Sequence, residues 1–161
     1  MPWFVLYTKS RSEKKVADEL VKRGIDVFCP LRRMERQWSD RKKWVEEPLF
    51  RSYVFVRIHP KDRHMVFEVP GVVRYLFWLG KPAEVLPHEI QAIKDLLNDF
   101  PHETMEVTYF SPNDRLIFKT GAFIGQEGDV IKRESNKLYV YLPSLGAQVV
   151  VDLKSNVLLK K

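Results

Sequence analysis

The sequence predicts an α+β chain in two parts, an amino-terminal α/β sandwich with a mainly antiparallel sheet and a small carboxy-terminal β-barrel. Three observations carry this reading. Apolar residues at helical spacing occur only within the first 100 residues, where they alternate with short β-branched and aromatic runs. The stretch Phe100-Pro101-His102-Glu103 is polar and interrupted by proline, as linkers are. From Ser111 onward the helical period is gone and short strands alternate with turn signals. The expected division is residues 1–100, a linker at 101–110, and a barrel at 111–161.

The elements follow in order. Trp3 to Tyr7 is an aromatic and β-branched run that suits a strand. Ser10 and Glu13 have the spacing of a capping box, and Val16, Ala17, Leu20 and Val21 then recur at helical spacing until Gly24 stops the helix. Arg11, Lys14, Lys15 and Lys22 fall mainly off the apolar stripe, so the helix is basic outside. Ile25 to Pro30 returns to strand residues. Residues 32–44 carry six Arg/Lys and two Trp without apolar periodicity, which reads as an exposed basic hairpin or loop.

Phe50 to Ile58 is the clearest strand. Its period of two puts Val54, Val56 and Ile58 on one face and Tyr53, Phe55 and Arg57 on the other. Both faces are therefore apolar, with Phe50 at the entry of the second and Tyr7 beside it if the strands pair. Either a helix of the same domain, near 88–98, covers that second face, or it is a docking surface. A helical stretch near 60–68, a turn at Pro70-Gly71, a strand from Val72 to Leu79 and a helix opened by Pro87 complete the first part. In the second part Leu116 and Phe118, then Leu138, Val140 and Leu142, then Val149 and Val151 mark strands.

Charge is unevenly placed. The chain of 161 residues has a net charge of +6, and residues 1–44 hold all of it, with 12 Lys/Arg against 6 Asp/Glu. A clustered basic surface suits a polyanion, although a solvated face would show the same excess. Enzyme chemistry finds little support. The four histidines have no metal-ligand spacing with one another or with Cys29, and no nucleophile elbow or phosphate loop occurs. No cofactor is expected. The lone cysteine, the lack of a signal-peptide pattern and the lack of a long apolar stretch make a cytoplasmic setting without membrane contact the default.

Particular strings are informative together. Trp3-Phe4-Val5-Leu6-Tyr7-Thr8, the basic first helix, Pro48-Leu49-Phe50 through Tyr53-Val54-Phe55-Val56, and Pro70-Gly71-Val72 resemble the NGN domain of NusG-family transcription elongation factors. Gly121-Ala122-Phe123-Ile124-Gly125-Gln126-Glu127-Gly128-Asp129-Val130 resembles the family's KOW domain, an SH3-like barrel. Glu47-Pro48-Leu49-Phe50 and the basic 32–44 segment look closest to the specialised RfaH-like and UpxY-like antiterminators.

The resemblance implies a protein that binds RNA polymerase and suppresses pausing or termination, as a monomer. It places Tyr7, Phe50, Tyr53 and Phe55 in a depression that takes the β′ clamp helices, with His64 a candidate for the β subunit. Lys9, Arg11, Lys14, Lys15 and Arg74 would face upstream or non-template DNA, joined by Arg41, Lys42 and Lys43 of the basic segment. The KOW domain would recruit a ribosomal protein or Rho near Phe123 and Ile124. In the RfaH branch that domain can refold as a helical hairpin over the clamp-binding face, a closed state that Glu47 would help lock. The β-branched strings here favour strands and an available face. A KOW-type RNA- or ribosome-binding protein that does not engage polymerase is the alternative.

Overall fold

The computed structural model describes residues 1–78, 80–109, 131–134 and 136–153. The chain divides into two compact units. One comprises Met1–Leu31 and Pro48–Pro87; the other comprises residues 32–47 and the chain from 88 onward.

The first unit is built on an antiparallel sheet of β1 (Trp3–Thr8), β2 (Asp26–Phe28), β5 (Tyr53–Arg57), β6 (Val72–Tyr75) and β9 (Glu84–Val85). The order is β2-β5-β1-β6, with β9 also pairing β1. Opposite residues Phe4↔Val56, Leu6↔Val54 and Leu6↔Tyr75 put one apolar row on a single face. Helix α1 (Glu13–Lys22) presents Val16, Ala17 and Leu20 to that row, and a 3₁₀ segment (Pro60–Glu68) adds Val66. Leu20, Val54, Val56 and Val66 are fully buried there. Each large aliphatic side chain so buried contributes on the order of 1.5–3 kcal/mol.

The helix stops where the sequence expects it to. Gly24 takes φ +82°, Gly24 N–H bonds the Val21 carbonyl and Ile25 N–H bonds the Leu20 carbonyl, which together satisfy the last turn. Its start differs from expectation. Ser12, not Ser10, is the N-cap and makes no side-chain cap bond. Glu13 is buried, and its carboxylate accepts Ser52 N–H at 2.6 Å, across from a turn whose Ser52 has φ +66°. A part-buried backbone donor held in that conformation needs an acceptor, and Glu13 supplies it instead of capping.

Other differences are local. The long strand expected over 72–79 breaks at Leu76, and β7 (Phe77–Trp78) turns back onto β8 (Lys81–Pro82). The helical stretch expected near 60–68 is present as a 3₁₀ segment over the same residues. The basic 32–44 segment is a hairpin of two eight-residue strands, β3 (Leu31–Trp38) and β4 (Arg41–Pro48), joined at Ser39-Asp40.

The second unit contains that hairpin, most of helix α2 (Pro87–Asp99), and a four-stranded antiparallel sheet. The sheet runs β10 (Glu106–Tyr109), β13 (Ala147–Asp152), β12 (Lys137–Leu142), β11 (Ile131–Glu134). Residues 106–109, placed by the sequence in a linker, are thus a strand, with Val107 opposite Val149. Helix α2 groups with this sheet rather than with the first, and the buried Glu89 carboxylate accepts Ser144 N–H at 3.1 Å. Leu138, Val140, Val149 and Val151 fill the core as their alternation predicts. The strand expected at Leu116 and Phe118 lies outside the described residues.

Candidate functional site

The second face of the amino-terminal sheet carries an aromatic band. The register sets Trp3 opposite Arg57, Val5 opposite Phe55, Tyr7 opposite Tyr53 and Arg74, and Phe28 opposite Phe55. Paired residues share a face, so one surface runs from a charged end through an apolar middle to a tyrosine end. At the charged end the Arg57 guanidinium donates twice to Asp26 Oδ2, at 3.1 and 2.7 Å, and lies 5.5 Å from the Trp3 ring centre.

In the middle, Phe55 packs on Phe28 with centres 5.7 Å apart and on Phe50 at 5.8 Å. At the far end the Tyr7 and Tyr53 rings meet edge to face at 6.4 Å, and the Arg74 guanidinium lies 5.0 Å from the centre of Tyr7. Tyr7 is 36% exposed, whereas Phe50 and Phe55 are fully buried.

The structure thus separates the residues expected in a polymerase-binding depression. Tyr7 and Tyr53 come together at an accessible end of the face. Phe50 and Phe55 are buried, with Phe55 packed on both Phe50 and Phe28. His64 is exposed on the 3₁₀ segment, whose Val66 packs on the opposite face of the sheet. Phe28 was not singled out from the sequence, although a phenylalanine in a strand next to the central one was the available signal.

Among the basic candidates, Lys9, Arg11, Lys14, Lys15 and Arg74 are all exposed. Lys9 and Arg11 follow β1 directly, at the same end of the sheet as Tyr7 and Arg74. Lys9 N–H bonds the Gly71 carbonyl at 2.9 Å and Ser12 N–H bonds the Lys9 carbonyl at 3.1 Å, which holds this loop against the Pro70-Gly71 turn. Lys14 and Lys15 occupy the first turn of α1. Cations there oppose the helix dipole by a few tenths of a kcal/mol, and an anion bound to them would remove that cost. Arg41, Lys42 and Lys43 are exposed on β4 of the hairpin, in the other unit.

Glu47 is engaged within the hairpin. Arg36 Nη2 reaches its Oε1 at 2.6 Å, and this hydrogen bond, with the carboxylate charge, raises the Arg36 pKa further. Burial, aided by the Glu13 and Asp18 charges, pushes the Cys29 thiol up to about 11, which leaves it protonated at neutral pH. Phe123 and Ile124 lie outside the described residues. Among the described residues no three His, Cys, Asp or Glu side chains gather as metal ligands would, and no helix is long and apolar enough to cross a membrane.

Comparison with known proteins decides what family this arrangement belongs to. The family model described as "Transcription termination factor nusG" matches residues 1–94. The chain belongs to the NusG family. The transcription termination/antitermination protein NusG of Streptococcus pyogenes serotype M1 is 30% identical, over 94% of this chain and 92% of that one. The NusG of Rickettsia felis is 25% identical over 96% of this chain and 87% of its own length. A solved structure described as domain interaction in Thermotoga maritima NusG is similar over 94% of this chain, at 22% identity and a TM-score of 0.48. This NusG-family chain is a non-enzymatic transcription termination/antitermination factor, and its membership implies interaction with RNA polymerase.

Proposed function

We propose that this NusG-family factor engages polymerase through the tyrosine end of its second sheet face. The supporting observation is the Tyr7–Tyr53 pair with the Arg74 guanidinium over Tyr7, partly exposed on the same sheet face as Phe55 and Phe28. Aromatic side chains with arginine, set on a preorganised support, are the usual anchors of an interface. The partner surface is the tip of the β′ clamp helices. His64, on the other side of the sheet, would make a separate contact with the β subunit.

Lys9, Arg11, Lys14, Lys15 and Arg74 would neutralise phosphates of upstream or non-template DNA, while unstacked bases lie on the tyrosines. Arg41, Lys42 and Lys43 would give the hairpin a second contact with nucleic acid. The hairpin's charge and the Glu47-Pro48-Leu49-Phe50 string support an operon-specific, RfaH-like or UpxY-like role. A ribosomal protein or Rho would bind the KOW domain near Phe123 and Ile124.

A pull-down with core RNA polymerase, comparing the full chain with Tyr7→Ala/Tyr53→Ala after circular dichroism shows both folded, tests the docking face. Loss of an aromatic anchor costs about 1–3 kcal/mol, so the double variant should bind at least roughly tenfold more weakly. Failure of the unaltered chain to bind, both to free polymerase and to a paused complex, would move the case to an RNA- or ribosome-binding role.

A further inference from the structure

The base of the basic hairpin is tied to the segment that follows α2 by one imidazole. Arg33 N–H of β3 donates to His102 Nδ1 at 2.8 Å, and His102 Nε2 lies 2.7 Å from the Leu97 carbonyl in the last turn of α2. The first bond requires Nδ1 to be an acceptor, so the ring is neutral and carries its proton on Nε2, which donates to Leu97. The ring therefore caps the carboxy-terminal end of α2 with one nitrogen and holds the hairpin with the other.

From this geometry we infer that His102 is a proton-operated latch for the hairpin: gain of a proton at Nδ1 releases β3 while the helix cap stays closed. The two bonds respond to the proton in opposite ways. An imidazolium has two donors and no acceptor, so the Arg33 amide loses its partner and faces a second N–H. The Nε2 bond to Leu97 survives and strengthens, because a cation at a helix carboxy terminus is favoured by the dipole.

Histidine is the side chain that ordinarily changes charge between pH 5 and 8. The charged groups beside these partners along the chain are Arg32 and Arg33 on β3, Asp99 at the end of α2 and Glu103 next to the ring. A second tie is the Arg32 guanidinium, which donates to the Met105 carbonyl at 2.7 Å and the Glu103 carbonyl at 3.4 Å. It keeps its charge throughout this range. Acid thus loosens the hairpin base without freeing it, and the arm that carries Arg41, Lys42 and Lys43 gains freedom.

The test is amide exchange followed by NMR on the full chain, with the His102 ring resonances monitored in the same samples. As the ring titrates, the protection factor of the Arg33 amide should fall about fivefold, the equivalent of roughly 1 kcal/mol for one hydrogen bond. The Phe100 amide, bonded to the Leu96 carbonyl at 3.2 Å, should keep its protection. His102→Gln, whose amide both accepts and donates without titrating, should show no pH-dependent loss at Arg33. The latch is overturned if Arg33 protection stays constant through the ring's titration, if the ring does not titrate above pH 5, or if His102→Gln loses protection as the unaltered chain does.

Discussion

At the scale of single residues, two side chains whose chemistry is altered by burial give direct tests. Cys29 has its pKa pushed up to about 11 by burial. Two units above the ordinary value leave about a hundredfold less thiolate at pH 8, and the greater nucleophilicity of a more basic thiolate returns about tenfold of that. Labelling with a disulfide reagent should therefore run roughly tenfold or more slower in the folded chain than in urea. Equal rates would show the thiol to be free.

Tyr75 has its pKa raised to about 12 by desolvation, against the opposing charge of Arg63, while its hydroxyl donates to the Arg63 carbonyl at 2.8 Å. The unfolded phenol ionises near the ordinary tyrosine value of 10, so between pH 10 and about 12 the unfolded chain holds fewer protons than the folded one. Stability should fall with rising pH across that window. Tyr75→Phe should remove this part of the fall, as measured by urea midpoints. Gly71 is constrained twice, by φ +101° and by Val16 Cγ2 lying 2.9 Å from where a Cβ would stand. Gly71→Ala should cost about 1–3 kcal/mol in urea unfolding, from backbone strain together with the contact against α1.

At the scale of elements, the joints decide more than the elements themselves. Glu13 connects the start of α1 to the turn before β5, and Glu13→Ala leaves the Ser52 amide without its charged acceptor. A loss of about 1.5–3 kcal/mol is expected by thermal or urea unfolding. The Arg36–Glu47 pair lies on the exposed hairpin, where solvent screens an ion pair, so Arg36→Ala should scarcely move the midpoint. These joints are also where the sequence was least legible. Strands β1, β5, β12 and β13, helix α1 and its Gly24 stop were readable, because alternation, helical period and a left-handed glycine are local signals. The Glu13–Ser52 and Arg33–His102 bonds join residues 39 and 69 apart in the chain, which no local period can encode. The strand β10 was hidden for the same reason, since Val107 is recognised as a strand residue only through Val149.

At the scale of the molecule, the kinds of residue on the candidate face were legible in the sequence and their depth was not. Periodicity correctly put Tyr53 and Phe55 on one face, but it cannot report how far a side chain lies below the surface. Phe28 and Phe50 pack around Phe55, and the tyrosine end of the row is accessible. The basic cluster at that end gives a prediction about salt. If Lys14 and Lys15 contact phosphate, Lys14→Glu/Lys15→Glu should weaken DNA binding and reduce the dependence of log K on log salt by about 1.5 to 2. An unchanged slope, measured by fluorescence anisotropy, would remove them from the interface.

The discontinuity of the first unit has a consequence for the nascent chain. All five strands of the amino-terminal sheet precede residue 86, so that sheet has its full complement once β9 leaves the ribosome. The hairpin is synthesised before the sheet is complete, yet its ties at His102 and Met105 emerge later. Glu89 of α2 waits longer still, for Ser144. Because chains emerge amino terminus first, assembly on the ribosome should proceed as sheet, then hairpin base, then helix. For part of its synthesis the factor therefore presents a finished sheet with an unanchored basic arm.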